Sequence, residues 1–344
     1  MDARPAESLP EPGTGLQEPG GVLDTIGHTP TVPLKRLAAS TGLHLYGKLE
    51  ALNPGGSIKD RPAAAILAEG LRTGVVTPET VIVESSSGNM GVGLAQACRY
   101  YGLRFICVVD SKAAPQNLRI LRAYGAEIEL VADPDPETCD LLTARLHRVE
   151  ELLARYPQAY WPNQYANEAN PLSHFRTTME ELVADVGRDI DYLFVATSTC
   201  GTLKGCGSFI RERGLPTKLV AVDAAGSLIF SDRPGDRWIP GIGAGMKPPL
   251  RDLSLVDEVV HVTDAECVAG CRSLVEREAI LAGGSSGGIV AALHRMLPRI
   301  PTGSKCVLVL CDRGERYLDT VYDDEWVRAH CGEVPSLTLE PTET

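Results

Sequence analysis

The sequence predicts an α/β protein built from two doubly wound, mainly parallel sheets, and three observations carry that prediction. Short β-branched runs alternate with amphipathic stretches of helical period, a second series of the same kind begins near residue 192, and several of the strands end in loops rich in Gly, Ser and Thr. With 344 residues, 44% of them hydrophobic and 23% charged, the chain has enough apolar material for two moderate cores. In the first series Val81 to Val83 precedes a helix over 89–101, Phe105 to Val109 precedes one over 116–124, and Glu127 to Val131 precedes one over 138–155. In the second, Tyr192 to Ala196 precedes a helix from about 202, Leu219 to Val222 follows, Val259 to Val262 precedes a helix from 264, and Val307 to Leu310 lies near the end. No internal sequence repeat relates the halves. Open sheets of this kind bind ligands outside the carboxyl ends of their strands, so the strand-end loops are the places to search.

Composition excludes several classes of function. A net charge of -12 argues against a nucleic-acid partner, whose phosphates call for clustered Lys and Arg. Residues 1–20 carry Glu7, Glu11, Glu18 and repeated Pro and Gly, which predicts a disordered tail, and the final residues, 331–344, read as a second flexible tail. Nothing resembles a membrane span or a signal peptide, so a cytoplasmic location is expected. The ten cysteines are scattered, several within apolar runs, and read as buried free thiols. Cys267 and Cys271, four apart on one helix, have the spacing of a metal pair, but no further ligands accompany them and no metal is expected.

Four strand-end or loop segments carry candidate chemistry. Asn53-Pro-Gly-Gly-Ser-Ile-Lys59-Asp-Arg61 is a glycine-rich turn that delivers Lys59 at the start of a helix, where the helix dipole and desolvation both disfavour an ammonium and favour a nucleophilic amine. A solvated surface lysine is the alternative. Glu84-Ser-Ser-Ser-Gly-Asn-Met-Gly-Val-Gly93 brings hydroxyls, an amide and free backbone N–H groups to one point, which suits a carboxylate, and its glycines have the wrong order for a dinucleotide fingerprint. Ala196-Thr-Ser-Thr-Cys-Gly-Thr202 is a phosphate cradle or simply a capped helix start. Gly283-Gly-Ser285-Ser286-Gly-Gly288 places a hydroxyl among small residues, either for a ligand or as the cap of a helix over 287–297.

Taken together with Ile26-Gly-His-Thr-Pro30, Asn163-Gln-Tyr-Ala-Asn167, Gly241-Ile-Gly-Ala-Gly245 and Asp312-Arg-Gly-Glu-Arg-Tyr-Leu318, these segments make residues 21 to about 325 resemble the cysteine synthase (O-acetylserine sulfhydrylase) family of pyridoxal-phosphate enzymes. The resemblance implies fold type II, the tryptophan synthase β-like architecture, with the cofactor in a cleft between a larger domain of 21–55 plus 169–330 and a smaller mobile domain of 56–168. It implies that Lys59 carries pyridoxal 5'-phosphate, that Asn89 bonds the cofactor's 3-oxygen, that Ser198, Thr199, Cys200, Gly201 and Thr202 hold its phosphate, and that Ser285 faces the pyridine nitrogen. A hydroxyl in that last place leaves the nitrogen largely unprotonated and favours β-elimination over transamination. Ser86, Ser87, Asn89, Met90, Gln164 and Tyr165 match the loops that hold the substrate. A homodimer acting on small amino acids is implied as well.

The chain also departs from the sulfhydrylases. It has Ser198 and Cys200 where they carry glycine, Tyr165 where they carry phenylalanine, and Ser86-Ser87 where they carry a threonine-serine pair. Sulfide needs no added hydroxyls, whereas an amino-acid nucleophile with two carboxylates does. With Asp110 to Gly125 and Val222 to Ser227, these changes are similar to the branch of the family that joins O-phospho-L-serine to L-glutamate through an aminoacrylate. That branch leads to 2,3-diaminopropionate for siderophores such as staphyloferrin B and for peptide antibiotics. Arg233 and Arg237 are candidates for the leaving phosphate, and Arg145 and Arg148 for a glutamate carboxylate. Sulfide as nucleophile, or a non-catalytic amino-acid sensor, are the alternatives; retention of Lys59 weighs against the sensor.

Overall fold

The computed structural model describes residues 21–137 and 141–337. Two sheets organise the chain. The first elements are β1 (Thr31–Pro33), β2 (His44–Leu49) and α1 (Asp60–Arg72). Next come β3 (Val81–Ser85), α2 (Asn89–Tyr101), β4 (Arg104–Asp110), α3 (Pro115–Ala123), β5 (Glu127–Val131), α4 (Leu141–Arg155) and β6 (Ala159–Tyr160). A helical segment of α5 (Ala169–Ser173), a π-turn (His174–Thr178) and α6 (Met179–Val186) leads to the second series. That series comprises β7 (Tyr192–Ala196), α7 (Gly201–Glu212), β8 (Lys218–Ala224), β9 (Glu258–Val262), α8 (Asp264–Glu278), α9 (Gly284–Met296), β10 (Lys305–Leu310) and α10 (Asp324–His330).

The smaller sheet has the order β5-β4-β3-β6, parallel throughout, and the larger the order β1-β2-β10-β7-β8-β9, with only β1 antiparallel. Both faces of each sheet are covered, which is why the strands read as continuous apolar runs. The period of two still sorts their side chains. Ile82, Phe105, Cys107 and Val109 meet Ile66, Leu94 and Leu121 of α1, α2 and α3, while Val81, Val83, Ile106 and Val108 meet Val149 and Leu152 of α4. In the larger sheet Phe194, Val220, Val222 and Leu308 pack with Ile289 and Val290 of α9, and Leu193, Val195, Ala221 and Val307 pack with Leu203 and Phe209 of α7.

Every strand and helix of the expected alternation is present, with shifts at the ends. The helix expected over 287–297 is α9 and begins at Gly284, so Ser285 stands in its first turn and not in a preceding loop. The small residues allow this: a Cβ on Gly270 would lie 2.0 Å from the Gly287 carbonyl oxygen, so α8 and α9 meet backbone to backbone. Residues 138–140, at the start of the helix expected over 138–155, lie outside the described residues. So do the tail expected over 1–20 and residues 338–344 of the other expected tail, but Cys331, Val334 and Leu337 pack against the larger core. The nine described cysteines are free thiols; seven are buried, while Cys311 and Cys331 are half-buried. Among the described residues no helix is long and apolar enough to cross a membrane.

Candidate active site

Lys59 stands at the amino end of α1, on a loop stitched to the exit of β10. The Ile58 amide donates to the Cys311 carbonyl at 2.8 Å, the Arg313 amide donates to the Gly56 carbonyl at 3.2 Å, and Ser57 and Asp312 form an isolated bridge. The α9 start is tied to the same point, because the Cys311 amide donates to Ser286 Oγ at 2.9 Å and the Gly283 amide donates to the Asp312 carbonyl at 3.2 Å. Lys59 and Ser285 are therefore both referred to one strand end. Burial lowers the Lys59 pKa against the opposing pull of Cys311, Asp312 and Cys200, and its amine has no hydrogen-bond or ion-pair partner among the described residues. A poorly solvated amine at a helix start is the form in which lysine is a nucleophile.

The loop is held from behind by a saturated charge network. Arg61, two residues on, bonds Glu50 through Nε at 2.7 Å and Nη2 at 2.7 Å, and bonds Glu181 through Nη1 at 2.6 Å. The fully buried Lys48 reaches Glu181 at 2.9 Å and the Thr29 carbonyl at 2.6 Å. Asn53 donates to Glu50 Oε2 at 2.9 Å and accepts from the Gly27 amide at 2.8 Å, which joins Ile26-Gly-His-Thr-Pro30 to the lysine loop. Although burial alone would raise it, the Arg61 bonds hold the Glu181 carboxyl at about 2.

The segment after β7 forms a cradle at the amino end of α7. Its Ser198, Thr199 and Cys200 amides meet no acceptor among the described residues, and Asn170 Oδ1 is buried without a partner against Gly201. Cys200 adopts φ 65°, a left-handed conformation that costs a non-glycine residue about 1–2 kcal/mol and that glycine would adopt without strain. Asn170 Nδ2 reaches Thr199 Oγ1 at 3.3 Å, and Thr202 Oγ1 lies 3.2 Å from Nε2 of the buried His174, which burial first, then Lys59 and Arg61, keep neutral. Free amides at a helix start with hydroxyls around them fit a phosphate dianion.

After β3, Ser86 Oγ accepts from the Gly91 amide at 3.0 Å, capping α2 and leaving its own proton available. Ser87 and Asn89 are half-buried and Met90 is buried. Gln164 is fixed by its amide donating to Glu84 Oε2 at 3.2 Å and its Nε2 donating to the Ser85 carbonyl at 3.4 Å, and Tyr165 follows it, half-buried, with its carbonyl accepting from Leu250. Burial raises Glu84 to about 7 despite bonds from Trp161, Gln164 and Ser85. Sequence reasoning missed Glu84 as an anchor of Gln164; its signal was an acid at the inner end of a buried strand. It also missed Asp312, which accepts from Asn89 Nδ2 at 2.7 Å, and the buried His174 and Asn170.

The four candidate arginines separate. Arg148 is spent on Glu129 and Glu151 at the surface, and Arg233 is exposed. Arg145 is largely buried at the carboxyl end of β4, 3.1 Å from Asp110, and Arg237 lies against Gly243 with its Nε buried and unpartnered. Cys267 and Cys271 lie buried between α8 and α9, the latter donating to the Gly283 carbonyl at 3.3 Å.

The chain is similar to known proteins over most of its length. Residues 22–312 match the family described as pyridoxal-phosphate dependent enzyme. The chain is 48% identical over 306 residues to an N-(2-amino-2-carboxyethyl)-L-glutamate synthase of Ralstonia nicotianae, covering 89% of this chain and 90% of that one. It superimposes with TM-score 0.82 and 31% identity on O-ureido-L-serine synthase, over 88% of this chain and 95% of that chain. With the O-acetylserine dependent cystathionine beta-synthase of Helicobacter pylori the TM-score is 0.80 at 30% identity, over 89% and 99% of the two chains. The chain belongs to the pyridoxal-phosphate dependent enzymes of fold type II.

Proposed function

We propose that the chain replaces the phosphate of O-phospho-L-serine by the amino group of L-glutamate, giving N-(2-amino-2-carboxyethyl)-L-glutamate and phosphate. The observation that carries this reading is the 48% identity to the Ralstonia synthase over nine-tenths of both chains. The site agrees with it: Tyr165 and Ser198 bring hydroxyls that sulfide would not use, and Arg237, with its Nε buried and unpartnered, offers a cation for a leaving phosphate.

Bound pyridoxal phosphate supplies the electron sink that takes up the electron pair released at the substrate's α-carbon. The cradle of Ser198 to Thr202 would hold its phosphate, Asn89 would donate to its ring oxygen, and Ser285 would present a neutral hydroxyl to its nitrogen. Ser86, Ser87, Gln164 and the Met90 amide grip the α-carboxylate and so orient the α-hydrogen. Lys59 Nζ, whose ammonium form burial disfavours, would first hold the cofactor and then remove that proton as general base. The β-carbon–oxygen bond breaks and phosphate leaves, the glutamate nitrogen bonds the β-carbon and gives up one proton, which leaves with the phosphate, and Lys59 returns the first proton to the α-carbon. A C2 homodimer belongs to this reading through the family resemblance alone.

The test is to add O-phospho-L-serine to the cofactor-loaded enzyme, follow the visible spectrum, and then challenge with L-glutamate or with sulfide, identifying each product by mass spectrometry. Discharge by glutamate with poor discharge by sulfide is expected. Discharge by sulfide alone makes the protein a cysteine synthase, and no spectral change removes O-phospho-L-serine as the donor.

A further inference from the structure

The proposed reaction leaves the Asp312-Arg-Gly-Glu-Arg-Tyr317 segment without a role, yet it converges on Asn89. Asp312 Oδ2 accepts from Asn89 Nδ2 at 2.7 Å and from the Tyr317 hydroxyl at 2.5 Å. Arg316 donates through Nη1 to Asn89 Oδ1 and through Nη2 to the Gly55 carbonyl of the lysine loop. The guanidinium enters because Gly56 has no side chain; a Cβ there would sit 3.0 Å from Nη2.

A primary amide has two ends that differ only in hydrogen-bond sense. Arginine only donates and a bare carboxylate oxygen only accepts, so with Arg316 at one end and Asp312 at the other the Asn89 carboxamide has a single satisfied orientation. Flipping it would set N–H against guanidinium and oxygen against carboxylate, two mismatches in a partly buried place. In the satisfied orientation one of the two Asn89 N–H bonds is spent on Asp312 and one remains.

We infer that Arg316 and Asp312 are positioning residues that fix the Asn89 amide so that its remaining N–H is available to the cofactor's ring oxygen, with Arg316 also holding the lysine loop in register with it. The inference rests on the reading of Asn89 given above. Because Asp312 lies on the larger sheet's exit and Asn89 starts a helix of the smaller sheet, the contact also ties the two bodies together at the site.

The test measures two properties of substrate-free protein: the affinity for pyridoxal 5'-phosphate, by titration of the cofactor-free form, and the pH midpoint of the bound cofactor's visible spectrum. Both are taken for the native chain, Arg316→Gln, Arg316→Lys, Asn89→Ala and the double variant Arg316→Gln/Asn89→Ala. Arg316→Gln is expected to weaken cofactor binding about tenfold, the scale of one charge-assisted hydrogen bond, and to move the pH midpoint. Arg316→Lys should recover part of both, and Arg316→Gln should have a clearly smaller effect once Asn89 is alanine, the part that persists being its lost bond to Gly55. Unchanged affinity and midpoint in Arg316→Gln, or the same effect in the Asn89→Ala background, overturn the inference. If Asn89→Ala alone changes neither property, the reading of Asn89 itself is wrong and the inference falls with it. Should Arg316→Gln not fold, Tyr317→Phe addresses the same amide from the Asp312 side and must show the same dependence on Asn89.

Discussion

The charges around Arg61 and those around Lys59 are two residues apart in sequence and are treated in opposite ways. Around Arg61 every carboxylate meets a cation: Glu50 and Glu181 share its guanidinium, and Lys48 completes the set. Burial would lower Arg61, but its bonds to Glu181 and Glu50 outweigh it and raise the pKa. At Lys59 and elsewhere around the site the balance is reversed. Lys59 has no anionic partner, burial raises Asp60 and Glu84 each to about 7, and Asp312 keeps one oxygen unpartnered. Saturated charge makes a rigid support, because removing any member strands the others; unsaturated charge leaves groups whose protonation can change during a reaction.

Lys59→Ala breaks that comparison on its reactive side. Removing an unpartnered amine strands nothing, so the denaturation midpoint should hold or rise slightly. Turnover should fall by roughly 10³-fold or more, the upper range for loss of a general base that also holds the cofactor, and the visible band of the lysine-bound cofactor should vanish. Steady-state kinetics and the absorbance spectrum check it. A variant that keeps that band would remove Lys59 from its role.

Arg61→Met should do the reverse. It leaves the buried Glu50 without a cation and Glu181 with Lys48 alone, at a cost of about 3–5 kcal/mol seen as a lower urea midpoint. If the midpoint is unmoved, the network is not the support described.

The same contrast separates what the sequence made legible from what it did not. The βα alternation is local, written in apolar period and strand-end glycines, and Val81 to Leu310 could be placed from it. The strand β2 was hidden, because His44-Leu-Tyr-Gly-Lys-Leu49 contains a lysine whose buried charge is met by Glu181 and Asp185, more than 130 positions away in the chain. The two-residue β6 is too short to leave a pattern. Lys59, Asn89 and the Ser198 to Thr202 cradle stood out because glycine and hydroxyl side chains cluster where a strand yields to a helix. The residues that orient them did not, since the contact between Asn89 and Asp312 spans a separation of 223 and leaves no periodic trace.

Glu84 gives the finest test, because it is an unsaturated charge that does structural work. Its Oε1 accepts from the Ser85 amide at 2.9 Å and Trp161 Nε1 at 3.1 Å, and its Oε2 accepts from the Gln164 amide at 3.2 Å. Glutamine there has only one acceptor end, which will keep the two donors on Ser85 and Trp161 and turn N–H toward the Gln164 amide. Gln164 should shift, so Glu84→Gln should raise KM for the amino-acid donor about tenfold, the scale of one repelled buried donor, with a smaller effect on kcat. Stability adds an independent sign. Burial lifts the carboxyl from 4.5 to about 7, so between those values the folded chain binds a proton that the unfolded chain has released, and stability from this group falls as pH rises across that window and is level above it. Glutamine cannot titrate. Urea midpoints at about pH 5 and about pH 7.5 should therefore show a shallower loss in Glu84→Gln than in the native chain, by on the order of 1–3 kcal/mol. Equal losses in the two proteins would mean that Glu84 is ionised throughout and belongs with the saturated charges of the Arg61 network.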